Sequence, residues 1–378
     1  MRKLIVAQKY MNLPKLIVVA CCAIVALSGN ILSVKGAEVR SPNKTFADWC
    51  RQRASLSPQA KDTVDVLLSE ARTTDCDEAD RNLSSLTQLT LEFKEISDLK
   101  PLASLTNLTS LDLSGNHHIS DIKPLASLPN LTGLSLSNTQ IGDMKPLASL
   151  TNLTWISLND NSISDIKPLA SLTNLTGLAL YRNQISDIKP LASLTNLTVL
   201  DLSGNQISDI KPLASLTNLT RLYLDHNQIG DIKPLESLTN LTRLLLSENQ
   251  IGDIKPLASL TNLNYLELQN NQIGDIKPLA SLTNLTGLVL YRNQISDIKP
   301  LAFLTNLTGI RLENNQISDI KPLASLNNLN YLNLSNNQIS DIKPLASLTN
   351  LTGIGLSNNP IAPKTCPLKP ESICDWEP

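Results

Sequence analysis

Side chains suited to acid–base, metal or nucleophilic chemistry are few or strictly periodic in this sequence of 378 residues. Of its three histidines, His117 and His118 form an adjacent pair that we interpret as a solvated bulge, and His226 stands alone. An Asp-x-Lys triplet recurs twelve times, from residues 98–100 to 341–343, and we interpret it as balanced, solvated charge without a ligand role. Such a column of identical carboxylates lacks the paired unlike environments of acid–base catalysis, and no phosphate loop or nucleophile motif occurs. The sequence therefore predicts no enzyme and no cofactor.

The cysteines are placed for disulfide bonds and not for a metal. Two of the six lie in an apolar segment near the N-terminus. The other four are Cys50, Cys76, Cys366 and Cys374, a pair at each end of the chain, and no Cys or His spacing suits a metal ion. In an exported protein such cysteines indicate a disulfide framework. Four cysteines allow three pairings, which the cysteine spacing alone leaves open.

Aromatic and arginine side chains are concentrated in the variable positions of a repeated x-Leu-x-Leu-x segment. Tyr, Trp and Arg are enriched at binding hot spots, so their confinement to one class of position indicates a ligand-binding face. The alternative is that exposed strands tolerate large side chains that drift neutrally. Neutral drift would also have placed aromatic residues at other positions of the repeat. Phe303 is one aromatic residue that does lie outside the variable strand positions. The candidate binding residues are Trp155, Tyr181, Arg221, Tyr223, Asp225, Arg243, Tyr265, Glu267, Tyr291, Arg311 and Tyr331.

The segment that carries these residues belongs to a repeat with a period of 22 residues, which starts at Leu83 and ends after Ile361. Twelve complete copies and one partial copy follow the consensus L-T-N-L-T-x-L-x-L-x-x-N-Q-I-S/G-D-I-K-P-L-A-S. Alternation of Leu with variable residues predicts a strand with one buried face. The Pro prevents a long helix on the return side, where we expect short turns and single helical turns.

Neighbouring repeats must stack to bury their apolar sides, because one unit alone cannot. The Asn that follows the strand in eleven of thirteen copies should then form a side-chain ladder that satisfies backbone groups from coil to coil. Lys94 and Thr139 take its place in two N-terminal copies, so we expect the ladder to be less regular there.

The repeat D-I-K-P-L-A-S-L-T-N-L-T-x-L-x-L-x-x-N-Q-I resembles that of bacterial, secreted leucine-rich-repeat proteins of the internalin type, over residues 83–361. The resemblance implies an α/β solenoid, a right-handed superhelix with a concave parallel β-sheet and short turns or 3-10 segments on the convex side. It also implies protein ligands on the concave sheet and a small helical N-terminal cap. Here Ser57-Pro58 would open a cap helix. No immunoglobulin-like module or Leu-Pro-x-Thr-Gly sorting signal follows the repeats, so host-cell attachment is not carried over.

Residues 1–37 are interpreted as a signal peptide, with a basic stretch, an apolar run of 12 residues over 16–27 and then small and polar residues. Translation could also start at Met11, and Cys21 faintly resembles a lipidation site. An uncleaved membrane anchor is an alternative, but a span needs about 20 apolar residues, so we expect no stable membrane span after cleavage.

The remaining domain organisation follows the cysteines and the repeat. We expect an N-terminal cap over residues 38–82, thirteen repeats over 83–361 and a C-terminal cap over 362–378. Pairing between the two ends would have to bridge the whole solenoid, whereas a disulfide needs Cα atoms within about 7 Å. We therefore predict that each cap holds its own disulfide.

These features favour a binding scaffold, secreted, periplasmic or at the cell surface, that presents its concave sheet to a protein or peptide. A formal net charge of −2 gives no broad basic face, so nucleic acid is not expected as a partner. Two alternatives stay open: a structural envelope protein whose solenoids associate, and a carbohydrate-binding surface protein. Cysteine pairs at both ends favour a monomer over end-to-end stacking.

Overall fold

Fourteen parallel strands form one sheet in the computed structural model, which describes residues 44–377. They pair in sequence order, and equivalent positions of neighbouring repeats lie side by side, as Arg221 does with Arg243. The strands are β1 Gln88–Thr90, β2 Ser110–Asp112, β3 Gly133–Ser135, β4 Trp155–Ser157, β5 Gly177–Ala179, β6 Val199–Asp201, β7 Arg221–Tyr223, β8 Arg243–Leu245, β9 Tyr265–Glu267, β10 Gly287–Val289, β11 Gly309–Arg311, β12 Tyr331–Asn333, β13 Gly353–Gly355 and β14 Cys374–Asp375. The leucine-rich-repeat solenoid predicted from the sequence is confirmed, and the predicted signal peptide lies outside the described residues.

Each strand of a full repeat covers three residues with a central Leu or Ile, instead of the five that alternate in the sequence. The chain leaves the extended conformation soon afterwards, because the fourth residue after the central Leu has a positive φ, for example 51° at Arg182. Parallel backbone bonds nevertheless continue past the strand, since Asp160 N donates to Tyr181 O at 2.8 Å. Side chains just beyond the strands therefore stay aligned from coil to coil.

The return side of the repeats is built from five-residue 3-10 helices that open with Lys-Pro. Their bounds are Lys100–Ser104, Lys123–Ser127, Lys145–Ser149, Lys167–Ser171, Lys189–Ser193, Lys211–Ser215, Lys233–Ser237, Lys255–Ser259, Lys277–Ser281, Lys299–Phe303, Lys321–Ser325 and Lys343–Ser347. The Asp before each one accepts a hydrogen bond from the Lys backbone, as in Lys211 N to Asp209 Oδ1 at 3.0 Å. These carboxylates cap the turn, a role that the sequence interpretation did not assign to them.

The interior is a continuous column of Leu and Ile crossed by the predicted Asn ladder. In one coil, Asn205 donates from Nδ2 to Leu180 O at 3.0 Å and to Leu202 O at 2.9 Å. Its Oδ1 accepts from Ile185 N at 3.0 Å. Each carboxamide thus satisfies backbone groups of its own coil and of the preceding one, which confirms the ladder.

The ladder is irregular at its N-terminal end, also as predicted. The hydroxyl of Thr139 lies 3.0 Å from Leu136 O within its own coil and 2.8 Å from Asn161 Oδ1 in the next. It makes no bond back to the preceding coil among the described residues, so one rung is missing.

Three further columns of hydrogen bonds join the coils and were not predicted. In the seventh repeat, Asn218 Nδ2 donates to a Thr carbonyl of the preceding coil at 2.9 Å, and Thr220 Oγ1 does the same at 3.0 Å. Ser215 Oγ donates to an Ala carbonyl of the preceding coil at 3.0 Å. The Asn belongs to the Asn-Leu-Thr triplets of the consensus, which explains why that triplet recurs.

Helices cover the first coil. In residues 44–377 these are α1 Phe46–Arg51, α2 Pro58–Ala71 and α3 Cys76–Ser84, with a 3-10 turn Arg53–Ser55 between the first two. The predicted start of α2 is confirmed, because the Ser57 side chain caps it and Pro58 is its first residue. Buried α-helical side chains join the core of the repeats. A disulfide between Cys50 and Cys76, with Cα atoms 5.6 Å apart, ties α1 to α3.

The last coil is closed by the segment after the repeats. A 3-10 turn, Glu371–Ile373, leads into β14, which pairs with β13. A disulfide joins Cys366 to Cys374, whose Cα atoms lie 5.8 Å apart. Both disulfides have the local pairing that the sequence argument expects. No helix among residues 44–377 has the length and apolar character needed to cross a membrane.

Candidate functional site on the concave sheet

Three columns of side chains run along the concave face, the side of the sheet turned away from the core. The first column holds the first residue of each strand, the second holds the last residue, and the third holds the residue two positions later, as Arg221, Tyr223 and Asp225 show in one coil. In-register pairing places each residue beside its equivalent in the next coil. A column is therefore a continuous row of variable side chains on a regular backbone.

All eleven candidate binding residues fall in these columns. The first column contains Trp155, Arg221, Arg243, Tyr265 and Tyr331, the second Tyr223, Glu267 and Arg311, and the third Tyr181, Asp225 and Tyr291. Most are partly exposed, and Arg221 is exposed. The structure thus brings the eleven candidate residues onto one face.

Tyr223 corrects one expectation, because its side chain is 5% exposed and is not an accessible anchor. It lies between Asp201 and Leu245 in the second column. Burial raises the pKa of its hydroxyl, and the positive charges of Arg243 and Arg221 oppose that rise. We therefore regard Tyr223 as the support under the two arginines.

A series of side-chain contacts fixes the positions of the residues in the middle of the concave face. The Arg243 guanidinium lies 4.1 Å from the centre of the Tyr265 ring. Tyr265 donates from its hydroxyl to Glu267 Oε1 at 2.7 Å, and Gln269 Nε2 donates to Glu267 Oε2 at 3.0 Å. Burial and the Glu267 carboxylate raise the pKa of the Tyr265 hydroxyl. The ring is held on both sides, so Arg243 rests on an ordered support.

A second series of side-chain contacts lies two coils further on. Arg311 sits 4.3 Å from the centre of the Tyr291 ring and forms an ion pair with the buried carboxylate of Glu313. Burial lowers the pKa of Arg311, but the Glu313 partner outweighs it and the pKa is raised. Glu313 was not among the candidate binding residues, although its Arg-x-Glu spacing on one face was a usable signal. Arg311 is thus already neutralised within the chain.

Glycines make room for the aromatic rings of the first column. A Cβ atom at Gly177 would lie 2.6 Å from Trp155 Cδ1, and one at Gly287 would lie 2.6 Å from Tyr265 Cδ2. Real Cβ contacts essentially never come that close. Each ring therefore leans over the glycine of the next coil, and those glycines determine where the ring can lie. The third first-column aromatic, Tyr331, is also followed by a glycine in the next coil, but a Cβ at Gly353 would lie at an ordinary 3.8 Å from Tyr331 Cδ2.

Asp225 is less available for ligands than its outward position suggests. It accepts from Ser247 N at 2.9 Å and from Ser247 Oγ at 2.6 Å. Burial raises its pKa to about 6, and the negative charges of Glu267 and Asp201 contribute. Three carboxylates of the concave face therefore influence one another in the sixth to ninth repeats.

Two surface depressions lie away from the concave columns. One, of about 580 Å³, is on the return side and is lined by Lys233 and Glu236 among others. The other, of about 600 Å³, lies between α2 and the first two coils and includes the exposed His118. No group of three or more His, Cys, Asp or Glu side chains in the described part of the chain is arranged to hold a metal ion.

Comparison with known proteins adds the family context. The family model for leucine-rich repeats, which spans two copies of the repeat, matches seven segments of the chain. These are residues 84–127, 106–149, 151–193, 195–237, 239–281, 283–325 and 327–369. No curated protein matches the chain in sequence.

Solved structures resemble the chain over most of its length. An internalin, InlF, from Listeria monocytogenes is 40% identical, with a TM-score of 0.80, over 86% of this chain and 96% of that one. A leucine-rich-repeat protein from Leptospira interrogans is 26% identical, with a TM-score of 0.62, over 77% of this chain and 88% of that one. The functional domain of InlJ from Listeria monocytogenes, at 22% identity and a TM-score of 0.64 over 84% and 76%, shares the fold.

Proposed function

Because the chain belongs to the internalin-type family of leucine-rich-repeat proteins, we propose that it is an exported scaffold that binds a protein or peptide on its concave sheet. Proteins of this family are typically binding scaffolds and not enzymes. Two disulfides fit an oxidising, extracellular compartment. The signal peptide that export requires is expected from residues 1–37.

The observation that carries the proposal is the confinement of Tyr, Trp and most Arg of the repeats to one ordered face. Tyr265 is held by Arg243 and Glu267, so its position is set before a ligand arrives. A preordered side chain loses less conformational entropy on binding than a free one. Trp155, Tyr265 and Tyr331 are partly exposed on the same column and supply large contact areas.

The same face distinguishes the two ends of the solenoid. In the third repeat the columns hold Gly133, Ser135 and Ser137, which offer little surface to grip. From the fourth repeat to the twelfth, every repeat except the sixth has an aromatic or arginine side chain in the columns. We therefore place the binding surface over those repeats, centred on Arg221, Arg243 and Tyr265, with Tyr223 as a buried support.

A monomer is favoured over an envelope lattice because both terminal coils are covered. The buried residues Phe46 and Leu67 of the helices close one end, and β14 with its disulfide closes the other. Exposed terminal coils would instead favour end-to-end stacking.

The test is affinity capture with the mature protein, followed by paired alanine substitution. We expect Tyr265→Ala with Tyr331→Ala to weaken binding of the captured partner by about 2 kcal/mol or more. Lys233→Ala with Lys255→Ala, on the return side, should change it by no more than about 0.5 kcal/mol. Equal losses from both pairs, or loss from the lysines alone, would place the ligand on another face. Capture of glycans in place of a protein would favour the carbohydrate alternative.

A further inference from the structure

Two arginines of the concave face stand side by side without a carboxylate partner. Arg221 and Arg243 are directly opposite each other on β7 and β8. Like charges opposite each other on neighbouring strands destabilise a sheet. No carboxylate oxygen of residues 44–377 lies within 4.0 Å of either guanidinium.

Two other arginines of the repeats have a carboxylate partner, and Arg292, which has none within 4.0 Å among residues 44–377, stands between Asn270 and Asn314 at the equivalent positions and not beside a second arginine. Arg311 forms an ion pair with the buried Glu313, and Arg182 lies 3.8 Å from an oxygen of Asp160. Parallel strands lie about 4.8 Å apart, so the two arginines leave neighbouring backbone positions, and neither has a carboxylate oxygen of residues 44–377 within 4.0 Å. The unbalanced pair is therefore a local feature of the seventh and eighth repeats.

The two guanidinium groups rest on built supports. Arg243 lies over the Tyr265 ring, which Glu267 holds in turn. Tyr223 is buried in the adjacent column, and the positive charges of both arginines oppose the rise in the pKa of its hydroxyl. An oxyanion that bridges the pair would form charge-assisted hydrogen bonds to planar donors that are already ordered.

We propose that Arg221 and Arg243 form an oxyanion subsite that receives the carboxylate of an acidic side chain on the protein partner. The inference rests on the proposed function, because it names the chemistry that the concave face recognises. A side-chain carboxylate fits better than a sulfated polysaccharide, because Asp201, Asp225 and Glu267 occupy the neighbouring columns. Those carboxylates repel a polyanion, whereas a partner segment with one acidic group and nearby basic groups would match both signs.

The test uses the full-length protein and labelled probes of defined chemistry. These are a decapeptide of Ser and Ala with one central Glu and a Lys on either side of it, its counterpart with Gln in place of Glu, and a heparin-derived decasaccharide, with binding followed by fluorescence anisotropy. Arg221→Gln with Arg243→Gln is the test variant, and Arg182→Gln with Arg292→Gln, one residue past the third column, is the matched control for the same loss of charge. Circular dichroism melting checks that both variants fold.

We expect the Glu peptide to bind best and to weaken as salt is raised. The test variant should reduce its affinity by about tenfold or more, and the control should leave it unchanged. Absence of binding, equal losses in both variants, or binding of the Gln peptide or the decasaccharide as tight as that of the Glu peptide would overturn the proposal.

Binding of the captured partner to both pairs of variants distinguishes failure of this inference from failure of the proposed function. If its binding depends on Tyr265 and Tyr331 but not on Arg221 and Arg243, the scaffold stands and the oxyanion subsite is wrong. If no concave substitution matters, both are wrong.

Discussion

Substitution of Gly287 by Ala tests whether the glycine positions the Tyr265 ring. The added Cβ would lie 2.6 Å from Tyr265 Cδ2, so the ring must move. Moving it breaks the 2.7 Å hydrogen bond to Glu267 and the contact of the ring with Arg243 at 4.1 Å. A hydrogen bond to a charged group contributes about 1.5 to 3 kcal/mol and a cation–π contact about 0.5 to 2 kcal/mol. We therefore expect Gly287→Ala to lower the free energy of unfolding by about 2 to 5 kcal/mol, the sum of these two contributions.

Gly309 supplies the matched control in the neighbouring strand. It occupies the same column, and a Cβ built there meets nothing within 4 Å. Neither glycine has a positive φ, so both substitutions gain the same reduction of unfolded-chain entropy, about 0.4 to 1 kcal/mol. The difference in unfolding free energy between Gly287→Ala and Gly309→Ala therefore isolates the displacement of the ring.

Urea unfolding measures that difference, and spectrophotometric titration of the tyrosines reports the ring itself. Burial, followed by Glu267, holds the pKa of Tyr265 above its ordinary value, so a displaced ring should ionise at lower pH in Gly287→Ala alone. Equal stability of the two variants, together with unchanged tyrosine titration, would refute the idea that the glycine positions the ring.

Three further predictions concern the scaffold. Asn227→Ala should lower the free energy of unfolding in urea by about 3 to 5 kcal/mol, because it leaves Leu202 O, Leu224 O and Ile207 N without their hydrogen bonds. Asn218→Ala, the control, removes one exposed hydrogen bond and should lower it by about 1 kcal/mol in the same assay. Burial raises the pKa of Asp225 to about 6, so the folded state holds a proton that the unfolded state has released. The contribution of this group to stability is greatest below about pH 4 and is lost as the pH rises through 6, by up to about 3 kcal/mol, and Asp225→Asn should abolish that slope in unfolding measured across this range. Peptide mapping under non-reducing conditions should recover each disulfide within its own cap, and reduction should increase hydrogen exchange in the adjoining terminal coil before the central ones.

The solenoid could be predicted in detail because its main determinants repeat. Leu178 and its equivalents alternate with variable residues in every copy, so one assignment of the buried face holds for all. The recurrent Asn was predictable for a similar reason, since a buried turn needs donors and acceptors at the same place in each coil. Asp209 was read only as solvated charge, because its bond to Lys211 N depends on the local path of the 3-10 turn.

The candidate site was less predictable than the face that carries it. The repeat assigns Tyr223 to the outward column, but its burial depends on which side chains stand beside it in neighbouring coils. The partners of Tyr265 likewise come from two strands, β8 and β9. Contacts across coils are tertiary, and strand alternation in one repeat contains no information about them.

The hydrogen bonds between coils also bear on how such a protein changes length. Asn205 and Asn218 bond to backbone carbonyls, which every coil presents at the same place whatever its variable residues are. Unequal recombination between near-identical repeats could thus add or remove a whole coil without breaking the interior. Loss of one coil between Arg243 and Arg311 would draw these two groups closer by about 4.8 Å. A change in the number of repeats therefore alters the distances between groups on the binding surface by a fixed amount per coil, and the change is inherited.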